Sequence, residues 1–544
     1  MNKIILDISA KEEFQKQFSR AIELVKRTPG TTLVIPAGEY TVSGERAKWA
    51  QKSLFEGAFG KFPQPSMFNP KYVYDRGLDL TGVKNAVIDA RGVTLLVDGY
   101  MEPVTVANCE NLEIVGLTVD HVRKPFSRGV IEKIKAFGDE LRLEVRLDEG
   151  NEVHARTPNM IRHLILDPET KESICVQFKK YDFVDKNRLI FWVKEHVRQG
   201  VVKEGMLFYT IHSCHSRPGI LLENSKNITL TDVTIHSQPG MGIVGNRCED
   251  VYIRGLRVVP SKGDHVSTAS DATHFTAMKG DLIFENCEAG WQGDDFTNVH
   301  AYFHDVAYEY GDNTYLLREK TPDGTHAQSL DYPDEGDILE LVSHATLEKL
   351  GEYRVVSCEP RHEDWACKVT LDRALPEDTR GMMLADVTRL PHVEVRNCYI
   401  HDHFARGILL KNRDSLVENC RFENVQGPAV VAAAESWWYE GVCPANITVR
   451  NNSVKNCAAF WGEAAGVVVK ADCEKATGQS IFNITVENNT VEAPECAHGV
   501  YVRNVKCFYI SGNEINCAKE PVVTENCDGD CQSADKSLIK GVRK

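Results

Sequence analysis

The segment Asn224-Ser225-Lys226-Asn227-Ile228-Thr229-Leu230 decides the fold, because variants of it return along most of the chain. Each copy is a short run of alternating, often β-branched residues with Asn, Asp or Gly in the turns. The other copies are Asn108-Cys109-Glu110-Asn111-Leu112-Glu113-Ile114, Arg247-Cys248-Glu249-Asp250-Val251-Tyr252-Ile253, Ile283-Phe284-Glu285-Asn286-Cys287, Val393-Glu394-Val395-Arg396-Asn397-Cys398, Leu416-Val417-Glu418-Asn419-Cys420, Ile447-Thr448-Val449-Arg450-Asn451-Asn452 and Ile484-Thr485-Val486-Glu487-Asn488-Asn489. The repeat of roughly 20–25 residues is the length of one coil of a parallel β-helix.

The recurring asparagines support this interpretation. Asn tolerates the left-handed backbone that a tight corner requires, and its amide can stack on the Asn of the next coil. The runs are too short and too numerous for a βαβ sheet, and no helical pattern separates them. We therefore predict an all-β protein whose fold is a right-handed parallel β-helix, a solenoid.

Two regions interrupt the repeat with longer, charged, alternating segments that resemble antiparallel strands, such as Glu140–Leu147 and Asp337–Val342. Residues 12–28 precede the first coil and predict an amphipathic helix that caps the open end of the solenoid. The predicted order is the N-terminal cap and first coils at 1–122, a small inserted β-barrel at 123–210, coils that carry the site at 211–302, a second inserted β-barrel at 303–390, C-terminal coils at 391–524 and a polar tail at 525–544.

Composition limits the choice of partners. The 544 residues carry a net charge of −15, which argues against nucleic acid or an anionic membrane and favours a neutral substrate over a polyanion. No run of about 18 apolar residues is present, and the start of the chain lacks the apolar stretch of a signal peptide, so we expect a cytoplasmic protein. The 17 cysteines predict inward-facing reduced thiols, because a disulfide framework needs an oxidising compartment. A homo-oligomer is compatible with these features.

The segment Gly290-Trp291-Gln292-Gly293-Asp294-Asp295-Phe296-Thr297-Asn298-Val299-His300 carries the strongest functional signal. Asp271 lies 23 residues before Asp294, about one coil, and one coil advances the chain by roughly 4.8 Å along the axis. The three carboxylates should therefore meet on one surface, provided that the chain bends at Gly293. Clustered carboxylates are what glycosidic-bond hydrolysis needs. The alternative is a solvated turn that Asp294 and Asp295 cap.

Further side chains are candidates for binding a sugar. Asn298 and His300 alternate with Val299 and therefore share a face. The tryptophans either stack on a sugar or fill space in the solenoid, and the other candidates are charged: Trp291, Trp437 or Trp438, Arg217, Arg406, Glu435 and Glu440. His401-Asp402-His403 and His212-Ser213-Cys214-His215 lack partners at zinc spacing, so we interpret them as structural and expect neither a metal nor a cofactor.

Four parts of the chain resemble the family-110 glycoside hydrolases, which are α-1,3-galactosidases. The resemblance spans about residues 85–460 and rests on Met101–Val104 with Val119–His121, Ser267–Phe275, Gly293–His300, and Arg406–Leu410 with Glu435–Gly441. Lys411 and Asn412 depart from it where small polar residues are expected, and Val442 departs where alanine is expected.

The resemblance implies an exo-acting, inverting hydrolase that removes terminal α-1,3-linked galactose from blood-group-B-type or linear glycans. It assigns Asp294 as the general acid, while Asp271 and Asp295 position and deprotonate the water. Two rival interpretations remain: another β-helix carbohydrate enzyme, such as a polygalacturonase-like hydrolase or a lyase, and a non-catalytic β-helix that binds glycans. The Gly-His-Gly and Arg-Ile-Lys elements of polygalacturonases are missing, and a non-catalytic solenoid should have uninterrupted coils and a secretion signal.

Overall fold

Parallel coils of short strands make up most of the computed structural model. It describes residues 2–530 except 10–11, 61–73, 139, 158–162, 171–172, 177, 195–201, 214, 320–329 and 459–461. A typical coil contains the three strands Ile220–Glu223, Lys226–Thr231 and Thr234–Ile235. The next coil returns in parallel, with Ile243 opposite Ile220. The predicted parallel β-helix is confirmed.

One face of the solenoid, here called the site face, carries the candidate residues. Its strands in the described part of the chain are Arg76–Asp79, Glu102–Ala107, Ile220–Glu223, Ile243–Asn246, Thr273–Thr276, Thr297–Tyr302, Ile408–Lys411, Val430–Glu435, Glu440–Gly441, Val467–Asp472, Val500–Arg503 and Val522–Glu525. All are parallel to their neighbours except Glu440–Gly441, which pairs antiparallel to the strands before it.

The other two faces form one continuous sheet, because two long strands, Lys84–Asp98 and Glu110–His121, run around the corner between them. The remaining strands of this sheet are Asn2–Ile5, Thr31–Val34, Gly38–Ser43, Lys226–Thr231, Thr234–Ile235, Glu249–Arg254, Arg257–Val258, Lys279–Glu285, Glu288–Gly290, His392–Arg396, Tyr399–His401, Arg413–Glu418, Arg421–Glu423, Ala445–Arg450, Ser453–Lys455, Ile481–Glu487, Thr490–Ala493, Val505–Ser511, Glu514–Cys517 and Asp528–Asp530. The coils thus continue to Asp530, beyond the predicted boundary at residue 524. The remainder of the predicted tail, 531–544, lies outside the described residues.

Asparagine side chains join the corners of successive coils. Asn111 and Asn227 both have a φ of 52°, in the left-handed region. The Asn111 amide donates to Asn85 at 2.7 Å, and the Asn227 amide donates to Asn111 at 2.7 Å. These contacts confirm both predicted uses of asparagine, the strained corner and the amide column.

Buried thiols line part of the interior. Cys287, Cys398 and Cys420 occupy equivalent positions on successive coils and belong to the main apolar core. Thirteen of the described cysteines are free, as predicted, whereas Cys507 is disulfide-bonded.

Helix Phe14–Arg27 covers the first coil with the apolar face that the sequence predicted. Phe14, Phe18 and Val25 are buried there. A second helix, Glu45–Phe55, was not predicted; it packs Leu54 against Tyr100. Neither helix is long and apolar enough to cross a membrane.

Two antiparallel subdomains interrupt the coils. The first is a seven-stranded sheet of strands Phe126–Phe137, Glu140–Leu147, His163–Leu166, Ser173–Val176, Phe178–Asp185, Arg188–Lys194 and Leu207–Ile211. Its pairing order begins with Ser173–Val176 and ends with Phe178–Asp185, two segments that only residue 177 separates in the chain. The two ends of the sheet therefore lie next to each other, and the predicted closed barrel stays a prediction for this insertion.

The second insertion is a closed barrel with its own apolar core. Its strands are His304–Gly311, Thr314–Glu319, Ile338–Ser343, Lys349–Arg361, Ala366–Leu371 and Met382–Asp386. After each insertion the chain returns to the coils in register: Val104 pairs with Ile220, and Thr297 pairs with Ile408. Two short 3₁₀ turns, His362–Asp364 and Ser436–Trp438, complete the described helices.

Candidate active site

Three charged residues occupy the same position on three successive coils of the site face. Thr273 lies opposite Thr297, and Thr297 lies opposite Ile408. Two residues before each of these stand Asp271, Asp295 and Arg406. The coil geometry, rather than proximity in sequence, therefore assembles the cluster.

The structure brings Asp271, Asp294 and Asp295 together. One carboxylate oxygen of each lies within 4.8 Å of the others. Asp271 and Asp295 are almost completely buried, whereas Asp294 is half-buried at the rim. The chain bends at Gly293 and Asp294, which lets neighbouring aspartates share the pocket. Only glycine fits at 293, since a Cβ atom there would lie 2.2 Å from the Ala269 carbonyl oxygen.

Arg406 forms a bidentate ion pair with Asp295. Its Nε lies 3.0 Å from Oδ1 and its Nη2 lies 2.9 Å from Oδ2, while the Arg406 backbone N–H donates to Oδ1 at 2.8 Å. Burial raises the pKa of Asp295 to about 7, although the Arg406 charge opposes this shift and the neighbouring carboxylates add to it. The guanidinium thus stabilises a carboxylate that burial alone would neutralise.

A chain of two histidines begins at Asp271. His274 Nδ1 lies 2.7 Å from Asp271 Oδ2, and His274 Nε2 lies 2.8 Å from His300 Nε2. His300 Nδ1 lies 3.1 Å from the Ala301 carbonyl oxygen. Burial lowers the pKa of His274, but the hydrogen bond and charge of Asp271 outweigh it and leave the pKa raised. Burial lowers the pKa of His300 to about 3.

Lys411 is the buried cation of the site. It has no exposed surface; its ammonium lies 2.7 Å from Glu435 Oε2 and also contacts Glu440. Burial alone would raise the pKa of each glutamate, yet the neighbouring positive charges, with Lys411 the largest contributor, together outweigh burial and lower the pKa of both. Asn298 Nδ2 donates to Glu440 Oε2 at 3.1 Å, so a further predicted residue joins this group.

One ring of contacts therefore connects most of the predicted residues. Arg406 Nη1 lies 3.1 Å from Glu435, which links the Lys411 group to Asp295. His300 Nε2 lies 3.9 Å from Glu440, so the group around Lys411 also lies close to the two histidines. Sequence reasoning did not name His274 or Lys411 as site residues; Lys411 was noted only as a departure from the family pattern.

Two of the predicted residues contact other parts of the structure. Arg217 forms an ion pair with the buried Glu102 and stacks over Tyr74, with 4.8 Å between its guanidinium carbon and the ring centre. Trp291 packs beside the cluster that joins the first insertion to the site coils, with its ring edge-on to His265 at 5.1 Å. Trp291 therefore fills space beside the first insertion, and its stacking on a sugar stays a prediction.

An exposed aromatic turn lies between the two glutamates of the site. Trp437 and Trp438 are 55% and 42% exposed, in the 3₁₀ turn that follows Glu435 and precedes Glu440. Trp437 meets His344 of the second insertion edge-on at 6.2 Å. This turn offers the apolar ring surface that sugars commonly contact.

The histidine-rich segments have structural contacts. His401 pairs with Asp402 at 2.8 Å, and His403 Nδ1 lies 3.0 Å from the backbone carbonyl of Asp294. His212 Nε2 lies 2.8 Å from the Ser127 hydroxyl. The three aspartates are close enough to surround a cation, and two of them already have protein partners: His274 contacts Asp271, and Arg406 binds Asp295.

Two other departures from the family pattern have backbone roles. Asn412 donates from its amide to the Pro391 carbonyl at 2.9 Å, and the Val442 N–H donates to the Lys411 carbonyl at 3.0 Å. Both residues therefore hold the segments that carry Lys411 and Glu440.

A family model matches part of the coils. The model of the right-handed β-helix region matches residues 386–491. The chain is a right-handed parallel β-helix. Among solved structures it is similar to an endo-xylogalacturonan hydrolase from Aspergillus tubingensis, with a TM-score of 0.43, 9% identity and 97% of each chain covered. It is also similar to the mannuronan C-5 epimerase AlgE4 A-module of Azotobacter vinelandii, with a TM-score of 0.42, 11% identity and 95% and 96% of the two chains covered.

Curated sequences give a more specific set of relatives. α-1,3-Galactosidase A of Bacteroides fragilis is 24% identical over 479 residues, which cover 83% of this chain and 76% of that protein. α-1,3-Galactosidase A of Shewanella woodyi is 25% identical over 485 residues, or 84% and 76% of the two chains. α-1,3-Galactosidase B of Bacteroides thetaiotaomicron is 22% identical over 465 residues, or 80% and 72%.

Proposed function

We propose that the protein is an exo-acting, inverting glycoside hydrolase that releases terminal α-1,3-linked galactose from glycans. The broader statement, a carbohydrate-active hydrolase, is supported by curated relatives whose sequences align with more than four-fifths of the chain. The observation that carries the proposal is the convergence of Asp271, Asp294 and Asp295 within 4.8 Å on adjacent coils. Glycoside hydrolysis requires such carboxyl groups, one to donate a proton and one to activate water.

Asp271 and Asp295 have the contacts expected of the carboxylates that activate the water. Each lies within hydrogen-bond distance of a nitrogen group, His274 for Asp271 and Arg406 for Asp295, and a bond donated by such a group favours the ionised carboxylate. A general base works best when its pKa lies near the working pH, and burial brings the pKa of Asp295 to about 7. The role of acid then falls to Asp294.

The spacing of the two basic carboxylates suits a shared water. Two hydrogen bonds of about 2.7 Å that meet at one water join oxygens roughly 4.5 Å apart. The oxygens of Asp271 and Asp295 lie within 4.8 Å of each other, so one water can donate to both. Direct attack by that water inverts the anomeric centre, whereas a carboxylate nucleophile would retain it. One oxygen of Asp294 lies within 4.8 Å of each base, closer than the ~6.5–9.5 Å between the carboxyl groups of inverting enzymes, so the inverting step of this proposal rests on the family resemblance.

The two insertions support exo action. The first reaches the site through the cluster around Trp291, and the second reaches it through the contact between His344 and Trp437. Walls on both sides favour a pocket that admits a chain end over an open groove that binds the middle of a chain. The many carboxylates around this pocket also favour a neutral sugar over a uronic acid.

The deciding experiment uses a linear and a fucosylated α-1,3-galactoside as parallel substrates, with galacturonan as the control. We expect free galactose as the only released sugar, with β-galactose as the first anomer in NMR spectra recorded early in the reaction. Release of α-galactose first would indicate retention. Internal cleavage products, or turnover of galacturonan, would contradict the exo-galactosidase and favour the polygalacturonase-like alternative.

A further inference from the structure

The number of protons along the Asp271–His274–His300 chain is fixed by its hydrogen bonds. The chain contains three contacts, at 2.7, 2.8 and 3.1 Å, and each contact needs one proton. The Ala301 carbonyl oxygen at its far end can only accept, so His300 must carry a proton on Nδ1.

The positions of the other two protons follow from the proton on His300 Nδ1. Unless it is doubly protonated, His300 then has no proton on Nε2, which must accept the N–H of His274 Nε2. The third proton lies between His274 Nδ1 and Asp271 Oδ2. Either His274 holds it and is an imidazolium beside a carboxylate, or Asp271 holds it as a neutral acid beside a neutral imidazole.

We propose that His274 is a charged imidazolium at neutral pH and that it positions Asp271 and keeps this carboxylate ionised as a base for the attacking water. Thus His274 acts through Asp271 and is a positioning residue, not a catalytic one. The assignment deepens the proposed hydrolase function and rests on it for the role of Asp271.

The surroundings of His274 support the charge on this ring. Asp271 lies on its own coil at 2.7 Å, while the facing coil presents the neutral amide of Asn298 and the ring of His300. Beyond His300 lie two buried charges that shift the pKa of His274 in opposite directions: Glu440 raises it and Lys411 lowers it. On the preceding coil, its neighbour is the apolar Val244. The raised pKa of His274 and the lowered pKa of His300 agree with this distribution of protons.

The direct test is ¹⁵N NMR of the protein with labelled histidine, with the His274 and His300 signals assigned by their loss in single variants. We expect both ring nitrogens of His274 to be protonated near pH 7 and His300 to be protonated on Nδ1 alone. A singly protonated His274 would place the proton on Asp271 and overturn the assignment. This measurement needs no substrate, so it still decides the charge if the protein proves not to be a galactosidase.

The second test compares the pKa of Asp271 in His274→Asn and in the wild-type protein, read from ¹³C NMR of labelled aspartate. Asparagine keeps an N–H donor near the Nδ1 position but carries no charge, so Asp271 should accept a proton more readily. The pKa of Asp271 is expected to move upward by about 1 to 3 pH units, the usual effect of a charge within a few ångströms. A purely structural role would lower activity and leave this pKa in place, whereas the acidic limb of a pH–rate profile would follow Asp295, whose pKa is about 7.

The matched control is His236→Asn, because His236 also binds a backbone carbonyl, that of Val259 at 2.9 Å, but lies outside the site. The pKa of Asp271 in this variant should equal that in the wild-type protein. A folded His274→Asn variant in which the pKa of Asp271 is unchanged would overturn the positioning role. If this variant does not fold, the NMR measurement on the wild-type protein decides.

Discussion

At the residue scale, Asp294 is distinguished by its place at the rim of the carboxylate cluster. Asp271 and Asp295 are buried behind it and bound to His274 and Arg406. A proton donor has to face the departing part of the substrate, which lies on the open side of the pocket. The position of Asp294 therefore agrees with the acid role that the family resemblance gives it.

Asp294→Asn is expected to lower kcat on a natural galactoside by about 10²–10⁴-fold, the usual contribution of a general acid. An aryl galactoside should lose less, because its leaving group needs little protonation. The measurement is kcat on both substrates, with thermal unfolding to verify the fold. Asp378→Asn, in an exposed turn of the second insertion, serves as the matched control. Unchanged turnover of the natural galactoside by Asp294→Asn would exclude this residue as the acid.

Lys411 stabilises two buried carboxylates at once. Lys411→Met keeps the length of the side chain but leaves Glu435 and Glu440 without their ammonium, so we expect a loss of about 3–5 kcal/mol in the free energy of unfolding. Activity should also fall, because Glu435 contacts Arg406. Denaturant unfolding checks the loss.

The double variant Lys411→Met with Glu440→Gln provides the internal control. Removing one of the unpaired charges should restore part of the stability that the single variant loses. If the two substitutions are additive instead, Lys411 and Glu440 do not interact in the folded protein as the structure describes.

Sequence reasoning identified the aspartates because a coil repeat places residues about 23 positions apart on the same face. It did not identify His274 for a related reason. The register sets His274 opposite Asn298, and its actual partner is the next residue on that face, His300. Such diagonal contacts depend on side-chain rotamers, which the repeat does not specify. The burial of Lys411 was unpredictable because a lysine in a strand normally faces solvent.

At the scale of single elements, strand His392–Arg396 begins with a histidine between two carboxylates. His392 lies 3.0 Å from Glu394 and 3.1 Å from Asp414. The adjacent Asp414 carboxylate raises the pKa of His392 to about 9, with burial opposing and Glu394 adding to the shift. The strand follows the second insertion directly, so this contact holds the point at which the chain rejoins the coils.

The raised pKa predicts a loss of stability in alkali. Because the pKa is higher in the folded protein than the unfolded value of about 6.5, the stabilisation is complete below about pH 6.5 and disappears as pH rises through about 9. The shift corresponds to at most about 3 kcal/mol. Urea unfolding at several pH values should show this decline in the wild-type protein and a flatter profile in His392→Gln. Equal slopes in both would exclude His392 as its source.

The elements also differ in how much the sequence reveals about them. Asparagine corners and alternating strands predicted the coils, and the face of Phe14–Arg27 predicted the cap. Helix Glu45–Phe55 was missed because it buries few residues, namely Ala47, Ser53 and Leu54. Its apolar positions do not form the continuous stripe by which an amphipathic helix is recognised.

At the scale of the whole molecule, the coils and the insertions contribute different parts of the site. The coils carry the charged ring of the site, and the insertions reach it through Trp291 on one side and His344 on the other. The sequence located both insertions from the loss of the repeat. It did not reveal that Trp291 packs against the first insertion, since that contact depends on how the insertion folds back.

The return of the chain in register after each insertion has a consequence for how such a protein changes in evolution. Neighbouring coils are usually joined by about 23 residues, whereas Cys109 and Ser225, on successive coils, are 116 residues apart. A connection five times longer raises the free energy of closing the loop by only about 1.4 kcal/mol. One residue added within a strand, by contrast, would exchange every inward side chain for an outward one. A lineage can therefore gain or lose whole subdomains between coils, and with them new pocket walls and new substrates, while the length of each strand stays fixed.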